Sequence, residues 1–448
     1  MEDSGRIHMF LQLAFGLLLA YIVSCGVEGL IYTKLAGNAL QLPELVFLLF
    51  AVPAVLYVML TKGRGLPFVR LDWFVLAYLT AVFLSWLTTQ QTNALGELLA
   101  AIYFTSFYFL GSVILLRYSR QKNLAVLERA VLVSGVAAAI MAMVGWPLLY
   151  FMDDDRMAWW FPNYPILGDT IRAKGLFRGP IMLADFLGTI LLYFMIRYKL
   201  RPGKASRFVL LAIAAISVGL ILTKTKSILI LYFVLCWAAV RLGVFTGLSK
   251  WIKVSIKASG WAALTLYLVT SHLFILNKTD ADYQAKLTSP YSSCMEFDLP
   301  MEDWVLVPSV YSSQKILAVV AGVRHMPFGI GGNQLIKYNK VAYDEGLLAC
   351  QNHLTPHSTY FGVFGELGLF GFVILLLLLH AVYRTIVDLQ VPASTLVLAQ
   401  SLFMYVCLQA ITADIMNLRH YWLLLVVLAV QARSAALTDR SSMVSDPH

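Results

Sequence analysis

His357 and Ser358 stand at the mouth of a long apolar run, preceded by Pro356 and followed nine residues later by an acid, Glu366. A histidine in that position titrates near neutral pH and can take a proton from an attacking hydroxyl. Pro356 restricts how the chain arrives, and Ser358 is a residue type that caps or orients the helix that follows. Glu366 lies about 14 Å further along a helix, so it cannot touch His357 unless that helix is broken. A carboxylate inside a span is costly and is kept for function or pairing. With Gly362, Gly365, Gly368 and Gly371 spaced for close helix packing, Glu366 reads as an organiser of neighbouring helices or of a loop. Taken alone, His357 is either an interfacial anchor or a general base.

Cations supply what such a base would work against. Arg172, Lys174 and Arg178 precede an apolar stretch that starts near residue 181, Lys224 and Lys226 interrupt a hairpin tip, and Arg324 closes an amphipathic segment. Guanidinium forks match phosphate oxygens bidentately and lysine acts as a point charge. Together they can bind a diphosphate and stabilise it as a leaving group without a metal. No histidine–carboxylate cluster has metal-ligand spacing, so no metal or cofactor is expected. The acidic stretch 296–303 lacks the glycine and alternation of a calcium loop and reads as a solvated turn. The glycines of 327–334 (PFGIGGNQ) lack the lysine and preceding strand of a P-loop and read as a turn. Asp414 and Arg419, flanking a short polar connection that continues into His420, are expected to pair with each other.

These groups need a membrane scaffold to position them. The 448 residues are 59% hydrophobic and 13% charged, where soluble proteins carry about 25% charge. Twelve apolar stretches have about the length of a span: 8–27, 42–60, 73–89, 98–116, 130–151, 181–197, 208–222, 227–246, 258–276, 357–381, 394–412 and 420–433. The expectation is an all-α polytopic membrane protein, a single membrane domain over 1–448, with the first stretch retained as a span and the first four spans acting as scaffold with few intramembrane charges. With the N-terminus inside, inner loops hold 20 of the 34 Lys and Arg, and both termini are cytoplasmic. The outer segments then carry 14 basic residues that targeting does not require, which points to an anionic ligand or to lipid headgroups and not to nucleic acid. Residues 277–356 form an outer segment long enough for a small lid of its own, with 312–326 an amphipathic helix started by Ser312 or Ser313. Cys25, Cys236 and Cys407 fall inside apolar stretches. Cys294 and Cys350 share the outer segment, where an oxidising compartment would favour a disulfide between them.

The pattern His357-Ser358, nine residues, then Gly368-x-x-Gly371 resembles that of the bacterial O-antigen ligases. The wider superfamily of ligases, polymerases and oligosaccharyltransferases shares a Pro-Phe-Gly-x-Gly turn ahead of the histidine, here 327–331. It also shares an acid before the second glycine, here Glu366, and a basic outer segment running into a mid-chain span, here 172–186. The likeness covers about residues 165–433, with Thr225-Lys226 where members often have Ser-Arg, and Arg178-Gly179-Pro180-Ile181 in place of a frequent Asp-Pro-Asn. It implies twelve helices of a GT-C-like glycosyltransferase plan and a metal-independent, inverting transfer on the periplasmic face of the bacterial inner membrane. The donor would be an undecaprenyl diphosphate-linked glycan and the acceptor the lipid A core oligosaccharide of lipopolysaccharide. His357 would be the base, and Arg172, Arg178, Lys226 and Arg324 would hold the diphosphate. A polymerase joining lipid-linked repeats is the alternative within the superfamily. A transporter of the same glycan is the alternative outside it, and would call for charges at midplane depth on several helices.

Overall fold

The computed structural model describes residues 2–35, 38–61, 67–89, 92–119, 125–164, 168–200, 207–244, 246, 249–270, 273–279, 297–301, 303–308, 310–348 and 356–444. Eight helices among these are long and apolar enough to cross a membrane. They are α1 (Glu2–Ser24, continued by a 3₁₀ segment to Leu30), α2 (Leu42–Leu60), α3 (Arg70–Thr89), α4 (Thr92–Ser119), α5 (Ala125–Met152), α6 (Pro180–Leu200), α12 (Thr359–Asp388) and α14 (Arg419–Val444). Shorter apolar helices α7 (Arg207–Leu222), α8 (Ser227–Arg241) and α13 (Ala393–Gln409) join them, as does α9 (Lys250–Thr270). Each of the twelve apolar stretches lies mainly on one of these helices, and the protein is a multi-pass helical membrane protein. Leucines and valines point outward, as Leu48, Leu49 and Val52 do on α2, while polar groups turn inward, the arrangement lipid imposes.

The stretch 258–276 does not run as one span. α9 begins earlier, at Lys250, and stops at Thr270; Leu273–Asn277 is instead a strand, β5, antiparallel to β7 (Trp304–Pro308) with Leu273 opposite Pro308. A ladder partner at 304–308 outcompetes helical continuation there. β6 (Phe297–Asp298) completes this sheet, and hairpins β1/β2 (Tyr32–Leu35, Asn38–Gln41) and β3/β4 (Ala158–Tyr164, Gly168–Ala173) form two more. The outer segment continues as α10 (Val310–Arg324) and α11 (Leu335–Asp344). Leu317, Ala318, Ala321, Leu335, Tyr338, Ala342 and Leu348 make a small core of their own between these two helices. α10 also packs along α12. Ser312 and Ser313 lie inside the first turns of α10, beyond its start at Val310, so neither caps it.

α12 breaks at Gly368, whose φ of +66° and ψ of −166° interrupt the helix. A Cβ at Gly368 would stand 2.2 Å from the Pro327 carbonyl oxygen, so only glycine lets the 327–331 turn lie against the helix here. That turn fills the gap. Ile330 N–H donates to the Gly365 carbonyl (3.1 Å), Gly331 N–H to that of Glu366 (2.9 Å), and Phe370 N–H to that of Pro327 (3.1 Å). The Ile330 and Gly331 amides are thus taken by α12 and that of Gly329 by the His325 carbonyl (2.8 Å), in keeping with a turn and not a phosphate cradle.

Candidate functional site

His357 sits just before α12 with φ +43°, a region that non-glycine residues occupy at a cost and that clusters at functional sites. The next two residues hold it there. Ser358 Oγ donates to the Ala410 carbonyl (3.1 Å), and Thr359 Oγ1 donates to that of Ala413 (2.9 Å). Thr359 N–H reaches both carbonyls, and Ile415 N–H donates back to Thr359 Oγ1 (2.8 Å). Ser358 therefore occupies the cap position but makes no capping bond; its hydroxyl orients the chain against the turn after α13. Burial, and next the Lys315 ammonium, push the His357 imidazole below the ordinary histidine range. A neutral imidazole is the form a general base requires.

The cations on the other side come from two hairpins. Strand β4 presents Arg172, which is buried and donates from Nε to the Thr223 carbonyl (3.0 Å). Thr223 to Lys226 form the tip between α7 and α8. There Lys224 takes φ +47° and donates from Nζ to Thr170 Oγ1, and Thr223 and Thr225 share a hydroxyl bond of 3.2 Å. Burial, and secondarily the Arg172 charge, lower the Lys226 ammonium to about 8. Arg172, Lys224 and Lys226 are thus brought together by β4 and a single turn.

The two halves meet through one chain of contacts. Ser227, next to Lys226, places Oγ 3.4 Å from Gln409 Oε1 and 3.4 Å from Asp185 Oδ1. Gln409 adjoins Ala410, the residue that anchors Ser358 and Thr359. The turn after α13 therefore carries the histidine on one side and the tip of α8 on the other. Asp185 and Gln409 are fully buried, and Asp185 Oδ2 and Gln409 Nε2 have no partner among the described residues. The sequence reading passed over both residues. An acid one and a half turns into α6 was the available signal for Asp185; nothing distinguished Gln409.

Other candidates lie elsewhere. Lys174 stacks over Trp159, its Nζ 4.7 Å from the ring centroid, and burial lowers its ammonium. Arg178 has an exposed side chain, and its backbone bonds Glu28. Arg324 pairs with Glu345 and reaches the Tyr338 hydroxyl at 3.4 Å. Glu366 serves architecture: its carboxylate accepts backbone N–H groups of Asn333 and Leu335 at the start of α11, and its carbonyl accepts from Ser85 Oγ (3.1 Å). Gly371 leaves room for Leu367 beside the break at Gly368. Asp414 and Arg419 do not pair. Asp414 accepts from Met416 N–H and Asn417 Nδ2, while Arg419 is taken by Glu28 and Glu44. Those acids belong to α2 and the 3₁₀ segment, whose sequence distance from Arg419 hid the pairing. Cys294 and Cys350 lie outside the described residues; Cys25, Cys236 and Cys407 are free thiols. Among the described residues no group of His, Cys, Asp or Glu is arranged to hold a metal ion.

Lys315, on α10, is the other group missed. It is only 7% exposed, and it was hidden among the apolar residues of an amphipathic helix. Against known proteins, no family model matches the chain and no curated protein matches it.

Proposed function

We propose that the protein is an O-antigen ligase: it transfers glycan from undecaprenyl diphosphate to a sugar hydroxyl of the lipid A core oligosaccharide, at the periplasmic face of the inner membrane. The observation that carries this reading is the junction at Gln409–Ala413, which bonds the residues that follow a half-buried, strained His357 on one side and Ser227, next to the Arg172–Lys226 cations, on the other. In the transfer, the acceptor hydroxyl gives its proton to His357 as its oxygen attacks the anomeric carbon. The bond from that carbon to the diphosphate oxygen breaks, and the electron pair leaves with the diphosphate. Arg172 and Lys226 stabilise that charge as it develops, in the place a metal would otherwise take, and a single displacement of this kind inverts the anomeric centre. The lid of β5–β7, α10 and α11 roofs the site, and the twelve apolar helices span the membrane with both termini in the cytoplasm.

A positioned base contributes about 10²–10⁴-fold, so His357→Ala is expected to abolish detectable transfer while the protein still inserts and purifies. Near wild-type capping of the core by that variant would remove His357 from the mechanism. Deletion in the native host, followed by gels of lipopolysaccharide, separates the related activities. Full-length lipid-linked polymer that never reaches the core means ligase, single repeats on the core mean polymerase, and unchanged lipopolysaccharide points to another polysaccharide or to transport.

A further inference from the structure

Lysine is almost never buried without a partner, yet no carboxylate pairs with Lys315 among the described residues. The side chain leaves the inner face of α10 and sets Nζ 5.9 Å from the Phe361 ring centroid, one helical turn beyond His357. Its neighbours on α10 are buried polar groups as well: Ser312, Ser313 and Gln314, the last bonded to Asn339 at 2.8 Å. The same helix turns Ile316, Val319 and Val323 outward. The first turns of α10 thus bury four polar residues in a row, while Leu317, Ala318 and Ala321 further along pack into the small core. At the mouth of α12, His357 is the titratable group on which the Lys315 charge acts. On α11, Lys337, Lys340 and Asp344 are exposed and Tyr338 is engaged by Arg324; β7 carries no charged residue. Among the described residues, a cation placed this way has no carboxylate to meet.

We propose that Lys315 binds the diphosphate of the lipid-linked donor beside His357, so that the leaving group is held from the lid as well as from the α7–α8 tip. This rests on the glycosyl-transfer reading above. As the bond to the anomeric carbon breaks, the electron pair moves to a diphosphate oxygen facing the Lys315 ammonium, and the acceptor's proton goes to His357. The same charge disfavours imidazolium and keeps the base neutral. Closing α10 over the donor would thus complete the site, and a donor without its diphosphate would leave the lid's cation unmatched.

The test uses the full chain in phosphatidylcholine nanodiscs, with a polyprenyl diphosphate as binding probe and lipid-linked glycan as transfer substrate. Lys315→Met and Lys315→Gln should each weaken diphosphate binding at least tenfold and slow transfer by about 10²-fold, with Lys315→Arg restoring both. Burial sets the Lys315 ammonium at about 8, so in a Lys226→Arg background the remaining fall in rate above that pH should vanish on adding Lys315→Arg. A purely structural lysine would not move that limb. Wild-type diphosphate binding and transfer within twofold in both Lys315→Met and Lys315→Gln would overturn the proposal. So would loss of binding to phosphatidylglycerol nanodiscs with diphosphate binding intact, which would make the site one for membrane headgroups. If the wild type transfers no glycan, the ligase reading falls, and the binding comparison still decides whether Lys315 holds a diphosphate.

Discussion

In the proposed transfer, a lysine that must stay charged to hold a diphosphate sets an upper pH limit on the rate. Lys226 is brought to about 8 by burial and by Arg172, so it is charged at neutral pH and loses its proton as pH rises through that value. Transfer should fall there, and Lys226→Arg, whose guanidinium does not titrate in this range, should move the fall at least partly to higher pH. The acid side follows His357. Its proton affinity is lowered, so the neutral base persists to lower pH than an ordinary histidine would allow, and the rate should hold until below about 6.5. A rate profile whose acid limb lies well above that value would contradict the surroundings described for His357. The candidates His357, Arg172, Lys224 and Lys226 stood out in sequence because charged or titratable residues at the ends of apolar runs are conspicuous. Lys315, Asp185 and Gln409 matter only through what faces them, and facing residues 42 and 182 positions from Ser227 leave no local trace.

Elements divide the same way. Apolar runs announce helices because each must satisfy its own backbone in lipid, and the twelve helices appear where those runs lie. The strands did not announce themselves: β5 pairs with residues some thirty positions later, and an apolar stretch cannot say whether it will end as helix or ladder. The break in α12 was also hidden, although its glycines were visible, because its cause is the Pro327 carbonyl some forty residues upstream. It supports a direct prediction. Gly368→Ala needs φ +66° from alanine and puts Cβ 2.2 Å from that oxygen, a cost of about 3 kcal/mol or more. Gly362→Ala meets only Pro356 Cγ, at 3.8 Å, and should stay within about 0.5 kcal/mol of wild type. Thermal unfolding in detergent measures both. Equal melting temperatures for the two variants would show that the 327–331 turn does not depend on the break. Because that turn leads into α11, the Gly368 variant should also loosen the lid and lower transfer.

At the scale of the molecule, α14 closes the chain on its own beginning by two buried charge clusters. Near its start, Arg419 reaches Glu28, Glu44 and Gln41; Glu28 also bonds the backbone of Arg178, which ties this cluster to the segment carrying Arg172. Fourteen residues on, about 21 Å down the helix, Arg433 meets Asp72 on α3 at 2.6 Å and Ser112 on α4, with Tyr108 also donating to Asp72 at 2.7 Å. The first four spans, read from sequence as poor in intramembrane charge, thus carry buried acids that join them to α14. Asp72 is fully buried, so Arg433→Met leaves a charge with no counterion and should destabilise by about 3–5 kcal/mol, whereas adding Asp72→Leu should recover most of that loss. The two clusters should differ in function. The Arg433 cluster lies far down α14 from the Ala410 turn, so the Arg433→Met/Asp72→Leu pair should transfer glycan at near wild-type rate per folded molecule. Arg419→Met, matched for stability by Glu28→Gln and Glu44→Gln, should still lose transfer, because it frees the segment that carries Arg172, the proposed diphosphate ligand. Unfolding curves with rates normalised to folded protein distinguish the two. Equal losses of specific activity in both sets would mean that the bundle acts as one rigid unit and that no separate path runs from Arg419 to the site.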